Sequence, residues 1–408
     1  MKFSLPPFSF NSLFTSFVLS AYLLSVSRST GFFIDNYTFS FNSYYRELAL
    51  IVLVFFPLLF SSLRNQLYDL NLFLFFLFTS FLSIIGLYFS SSHSLFLLQV
   101  FSYLRWLLPF FVFFIYIRCE LSVSSLLHFQ KVLIFSLILF FIISLQQYIQ
   151  GACIQNKCPS IFYNGNSLAG NTVLLYFSLL LSQSTNQLKQ VVLRVLGLMA
   201  LAILLLAYSS TAFLVLIVFL IFTVLSPFVL SFRQKVYPKS LTFIIACVLT
   251  FIPTLFYFAR RNLFDFGSDT YSISLGTRFD IFYSIFNDNF VHFIFGSPGL
   301  YTNLYYSFDS QFGYITDSLI NSFFGNLGIF GLLFYILIFA YSLYQLTMTI
   351  NSKFLSYSVS HIWHLSVFCA SILGFTSNLF ELYPGIIIFS LSLALFHRKS
   401  KISFIRLF

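Results

Sequence analysis

Stretches of about twenty apolar residues follow one another along most of this chain, separated by short polar breaks, and a chain of that kind cannot bury its surface against water. Only 8% of its 408 residues are charged, whereas 59% are hydrophobic and 62 are Phe. A soluble domain carries about 25% charge. Crossing a hydrocarbon core takes about 20 apolar residues. Twelve candidate spans meet that demand: 8–27, 47–63, 70–90, 94–117, 132–149, 167–183, 191–208, 212–232, 241–258, 326–347, 361–376 and 384–397. Lipid offers no partner to backbone N–H and C=O groups, so spanning segments of this length close their hydrogen bonds internally, as helices. The expectation is an all-α, polytopic membrane helix bundle of about twelve spans, a single integral membrane domain over 1–408, without a separate soluble domain.

The net charge of +10 does not describe a nucleic-acid surface, because Lys and Arg sit mostly in short loops between spans. With the N-terminus in the cytoplasm and spans alternating, fourteen fall inside: Lys2, Arg64, Arg118, Lys131, Lys189, Arg194, Arg233, Lys235, Lys239, Lys353, Arg398, Lys399, Lys401 and Arg406. Six fall outside: Arg28, Arg46, Lys157, Arg260, Arg261 and Arg278. That asymmetry is the positive-inside pattern. It puts both termini in the cytoplasm and one long loop, 259–325, outside between spans nine and ten.

That loop is where the chain changes character. Between 259 and 326 lie six of the eleven acidic residues, three Arg and His292. Arg260 and Arg261 follow the ninth span directly, on the outer side against the charge rule; they fit either head-group anchors or an anion site. Arg278 opens an amphipathic helix in which Phe279, Phe282 and Phe286 recur at helical spacing and would lie on the membrane. Arg grips phosphate at two points; the alternative is a surface pair with Asp280. His292 can act as a base, or serve as an interfacial residue among Phe. Asp317, just before the tenth span, can accept a proton or cap a helix.

Two further charges stand apart from the loop. Arg105 lies near the middle of the fourth span, where an Arg costs at least about 2.5 kcal/mol in lipid. It must face the bundle interior or a wet cavity, as a seat for an anionic head group or as a member of an internal ion pair. Glu381 is the only acid of the last outside turn, 377–383; with Asn378 it either meets the large loop or stands at the interface alone. Cys153 and Cys158 share the loop 150–166, and a disulfide fits if that loop is outside. Cys119, Cys247 and Cys369 read as small buried residues. There is no HExxH, no paired Cys motif with metal spacing and no phosphate-binding Gly loop, so neither metal nor nucleotide cofactor is expected.

Four stretches resemble the O-antigen polymerase and O-antigen ligase superfamily of bacterial envelope glycosyltransferases: YNGNSLAGNTVLLY, with Asn164, Asn166 and Ala169; AYSSTAFLVL; TRFDIFYSIFNDNFVHFIFGSPGLY; and TDSLINSFFGNLGIFGLLFYI. The likeness covers roughly 160–395. Two departures weaken the ligase side. The serines around Thr211 lack the Arg that many relatives carry in that turn, and Asp317 stands where ligases typically carry His. The resemblance implies a location in the bacterial cytoplasmic membrane and, as substrates, oligosaccharide units on undecaprenyl pyrophosphate. It also implies a flippase and a chain-length regulator as possible partners.

On that reading Arg278, with Arg260 or Arg261, grips the diphosphate, Arg105 assists from below, Asp317 is the first candidate base and His292 the second, and Glu381, Asp280, Asn164 and Asn166 support them. The donor is already activated by its diphosphate, so no nucleotide is needed. A ligase moving the finished glycan to a lipid core or protein is the nearest alternative. A polysaccharide transporter or flippase is the other, and should string charges along a central path.

Overall fold

The computed structural model describes residues 70–90, 96–117, 123–153, 165–183, 190–207, 279–287, 289–302, 318–350, 357–375, 377–382 and 385–397, with scattered single positions elsewhere. These are mostly helical. The helices are α1 (Leu70–Ser90), α2 (Phe96–Tyr116), α3 (Val123–Ile149), α4 (Gly165–Ser182), α5 (Gln190–Leu206), α6 (Phe290–Phe295), α7 (Leu319–Ile350), α8 (Val359–Gly374) and α9 (Gly385–His397). Three of them contain apolar runs long enough to cross a membrane: Phe96–Phe114, Leu127–Ile149 and Leu319–Thr347. Apart from α6, which falls within the expected loop 259–325, the helices overlap the third to seventh and tenth to twelfth expected spans. The first, second and ninth, and most of the eighth, lie outside the described residues. A two-residue antiparallel pairing of Tyr357–Ser358 with Phe404–Ile405 ties the C-terminal tail to the start of α8.

Two boundaries differ from the sequence reading. Helix α3 begins at Val123 rather than 132, because the polar turn SSLLHFQK is itself helical. The tenth span begins at Leu319 rather than 326, because α7 is two helical pieces joined at Gly328, whose φ of 62° is left-handed. The apolar run itself extends over both pieces, Leu319–Thr347.

The core inverts nothing about helix physics; it changes which faces meet. Helix α4 is buried on every side from Leu168 to Ser182, as expected of a helix apolar all round. It packs against α9, α3, α5 and α8, while α9 also packs against α2. Serine and threonine survive in this core by bonding back into their own helix: Thr172 Oγ1 donates to the Leu168 carbonyl at 2.8 Å, Ser178 Oγ to Leu174 at 2.8 Å and Ser392 Oγ to Ile388 at 2.8 Å. Such bonds cost little where no water is available. On the outside, Phe81, Ile84, Leu97, Phe135, Leu198 and Leu337 are exposed, the apolar belt a lipid-facing surface requires.

Two turns run into the bundle instead of over it. The first, Gly296–Thr302, is buried throughout and wedged between α1, α2 and α7. Ser297 N donates to the Gly325 carbonyl at 2.7 Å, Gly299 N to Asn326 Oδ1 at 2.7 Å, and Gln99 Nε2 to the Pro298 carbonyl at 2.8 Å. On α1, Gly86 leaves room for Pro298, since a Cβ there would lie 2.7 Å from its ring. The second inward turn is 377–382, described below. Preceding the first turn, helical residues 279–287 lie against α7. The sequence reading placed Phe279, Phe282 and Phe286 together on the membrane. Phe279 and Phe286 are exposed, but Phe282 packs inward on Phe324, ring centroids 5.2 Å apart. A 3.6-residue period separates those positions enough for one of them to reach the protein side.

Candidate functional site

The charged centre of the described structure is an ion pair between Arg105 on α2 and Glu381 on the second inward turn, Nη1 to Oε2 3.1 Å. Both side chains are largely buried, 6% and 10% exposed respectively. Arg105 is therefore a member of an internal pair, and Glu381 is not the solitary interfacial acid that its sequence position also allowed.

Several local features bring the two charges together. Pro109 lies inside α2 four residues beyond Arg105, so the helix ladder lacks the bond that residue 109 would donate to the Arg105 carbonyl. The turn after α8 is a single 3-10 turn, Leu379–Glu381, closed by Glu381 N to the Asn378 carbonyl at 3.0 Å and Leu382 N to Leu379 at 3.0 Å. Phe380 plugs that turn into a box of rings, with centroids 5.4 Å from Trp106, 4.9 Å from Phe110 and 5.3 Å from Phe323. Beyond the turn, Gly385 N donates to Asn171 Oδ1 on α4 at 2.6 Å, which caps α9 with a side chain from another helix. The backbone on both sides of Glu381 is thus held by groups other than Glu381 itself.

Around the pair, α2 presents a polar stripe. Gln99, Ser102, Arg105 and Trp106 recur at spacings of three and four residues, which places them on neighbouring parts of the helix surface. All are buried. The Ser102 hydroxyl and the Trp106 indole N–H have no hydrogen-bond partner. Gln99 meets the first inward turn and Arg105 the second, six residues or about 9 Å apart along the helix axis. Both inward turns therefore reach the same helix.

The far side of α2 is wholly different. Between α1, α2 and α7 runs a groove of about 240 Å³, lined by Phe78, Leu82, Leu107, Phe111, Phe330 and Phe334 among others. Among its few polar groups, the Ser83 hydroxyl lies against the Tyr103 hydroxyl at 2.5 Å. Positions 100, 104, 107, 111 and 114 share that side by helical spacing, while 102, 105 and 109 point away from it.

Of the remaining candidate residues, His292 lies half-buried on α6, where its carbonyl accepts from Gly296 N at 2.8 Å; that helix packs on α1 and α7. Asp280 is exposed on helical residues 279–287, and Asn166 is exposed in the first turn of α4. Arg260, Arg261, Arg278, Asp317 and Asn164 lie outside the described residues, so of the expected site residues the structure brings together Arg105 and Glu381. Among the described residues no group of three His, Cys, Asp or Glu side chains is placed to hold a metal ion.

At the end of α3, Cys153 and Cys158 are joined by a disulfide, Cα atoms 4.4 Å apart. Cys158 N donates to the Leu206 carbonyl at 2.9 Å. Gln147 clamps the same loop at two points, Nε2 to the Ser160 carbonyl at 2.9 Å and Ser160 N to Oε1 at 2.7 Å. The disulfide ties the end of α3 to the chain leading into α4. Cys369 is buried and free.

The sequence reading singled out Arg105 but not its neighbours. The signal for Ser102 and Gln99 is present, as polar residues at helical spacing in an apolar span; Glu381 stands out in the sequence as the one acid of its turn, but nothing there pairs it with Arg105, 276 positions away. No protein-family model and no curated protein matches this chain.

Proposed function

We propose that this protein is a membrane glycosyltransferase that polymerises lipid-linked oligosaccharide units on the outer face of the bacterial cytoplasmic membrane. The observation that carries the reading is the buried Arg105–Glu381 pair. Isolated charges are expelled from lipid, and those kept inside a span mark functional sites by default. Here the charges sit where an outer-side turn enters the bundle, beside a stripe of polar donors and back-to-back with an apolar groove suited to hydrocarbon. The resemblance of residues 160–395 to the polymerase and ligase superfamily supplies the reaction class.

In this reading the chain has about twelve spans with both termini in the cytoplasm, and loop 259–325 outside. The Cys153–Cys158 disulfide supports the orientation, because disulfides persist in oxidising compartments, and loop 150–166 is then on the same side as 259–325. The acceptor sugar hydroxyl attacks the anomeric carbon of the growing chain. The bond from that carbon to the diphosphate oxygen breaks, the hydroxyl proton passes to Asp317 or His292, and the polyprenyl diphosphate leaves. Negative charge grows on the leaving oxygen, and Arg278 with Arg260 or Arg261 stabilises it, Arg105 acting from below. Binding both lipids at one membrane face supplies proximity.

The test is a gene deletion complemented with variants, with glycan length read on gels. Arg278→Ala is expected to leave single-unit glycans, and Arg278→Lys to restore part of the length. Long polymer in the Arg278→Ala strain would remove Arg278 from the scheme. A deletion strain with no glycan on the acceptor at all would favour the ligase instead.

A further inference from the structure

We infer that Glu381 is a resident counter-ion for Arg105, holding the place of a phosphate group that displaces it on binding. The inference rests on the reading above only for what carries that phosphate. Three observations lead to it. First, the pair has an excess of donors. The carboxylate answers the guanidinium, yet Ser102 Oγ and Trp106 Nε1, fully buried on the same helix within one turn, have no acceptor. A phosphate brings more acceptor oxygens than a carboxylate and can meet Arg105 and both of these donors together. Second, only an anion can take over. Removing one partner of a buried pair leaves an uncompensated charge, so neutral sugars or hydrocarbon cannot displace Glu381.

Third, Glu381 can leave without unfolding its surroundings. It is the more exposed partner, and the backbone beside it is pinned by Phe380 in its ring box and by Gly385 on Asn171. Its carboxylate therefore swings outward on its own side-chain torsions and is rehydrated, while the turn stays. One anion replaces another on Arg105, and the Glu381 carboxylate keeps its own charge in water. The consequence is a site whose affinity is held down until the right anion arrives, which suits an enzyme that must release a diphosphate product after each transfer.

The experiment measures binding of radiolabelled inorganic pyrophosphate to the full-length protein in phosphatidylcholine nanodiscs. Glu381→Gln keeps the size of the side chain and removes its charge, and is expected to bind about tenfold tighter than wild type or better. Glu381→Asp, which keeps the charge on a shorter stem, gives a smaller gain and covers the case in which Glu381→Gln does not fold. Arg105→Gln/Glu381→Gln removes both charges of the pair and should lose the binding. Trp106→Phe in the Glu381→Gln background keeps the ring and should weaken binding several-fold.

A second series in nanodiscs containing phosphatidylglycerol separates the sources of phosphate. If anionic lipid competes with pyrophosphate, the occupant is a lipid head group; if it does not, the site prefers a diphosphate. Binding no tighter in Glu381→Gln and Glu381→Asp than in wild type, or tight binding surviving in the double variant, overturns the inference. Arg105-dependent binding in a protein whose deletion strain makes normal polymer would overturn the polymerase reading and leave this one standing.

Discussion

A guanidinium and a carboxylate 3.1 Å apart inside a helical bundle are a demanding arrangement, because each partner was removed from water to make it. The pair is worth little as net stability compared with apolar side chains of similar volume, but removal of one partner is costly, about 3–5 kcal/mol. Arg105→Met is accordingly expected to lower the unfolding temperature of the detergent-solubilised protein sharply. Arg105→Met with Glu381→Leu should regain most of that loss, and should still abolish polymer in cells. A double variant that is folded and active would show the pair to be packing alone. Asn171 is a second residue whose cost is legible from its partner. Asn171→Ala leaves the buried Gly385 N–H without its acceptor, a loss of about 1–3 kcal/mol, read in the same thermal assay.

At the scale of elements, the inward turns are possible because two helices give way. Helix α7 breaks at Gly328, where a left-handed residue lets the Leu319 end bend toward the Gly296–Thr302 turn, and a Cβ at that position would run into the Ile294 backbone. Gly328→Ala therefore meets both a conformational penalty of about 1–2 kcal/mol and a backbone collision. It should expose the α6 region to protease while leaving the α4–α9 core protected. The amphipathic helix at 279–287 makes a paired prediction. Phe282→Ala removes a ring from the contact with Phe324 and should destabilise the fold, by up to about 3–5 kcal/mol if the site is as tightly packed as a core. Phe279→Ala removes an exposed ring and should leave the unfolding temperature nearly unchanged.

At the scale of the whole molecule, orientation is the property on which the chemistry depends, and the disulfide offers a direct measurement. In intact cells, maleimide of a membrane-impermeant kind should label Cys153 and Cys158 only after reduction, and from the outer side. Labelling only after the membrane is opened would place loop 150–166 in the cytoplasm and reverse the face on which every proposed site residue stands, whereas labelling without reduction would put the loop outside with its thiols unpaired.

The class of the molecule followed from one-dimensional facts. Apolar length fixes helices in lipid, because backbone groups there have no other partners, and among the described residues three helices carry apolar runs long enough to cross. Arg105 could be recognised as significant for the same reason: the cost of a charge in hydrocarbon does not depend on its partner. The partner itself is a tertiary matter. Glu381 meets Arg105 because a turn after α8 enters the bundle instead of crossing its surface, and that path is set by Phe380 among three rings and by Asn171 on another helix. Hydropathy scores neither contact, since a short turn with one acid reads alike whether it lies on the membrane or within it.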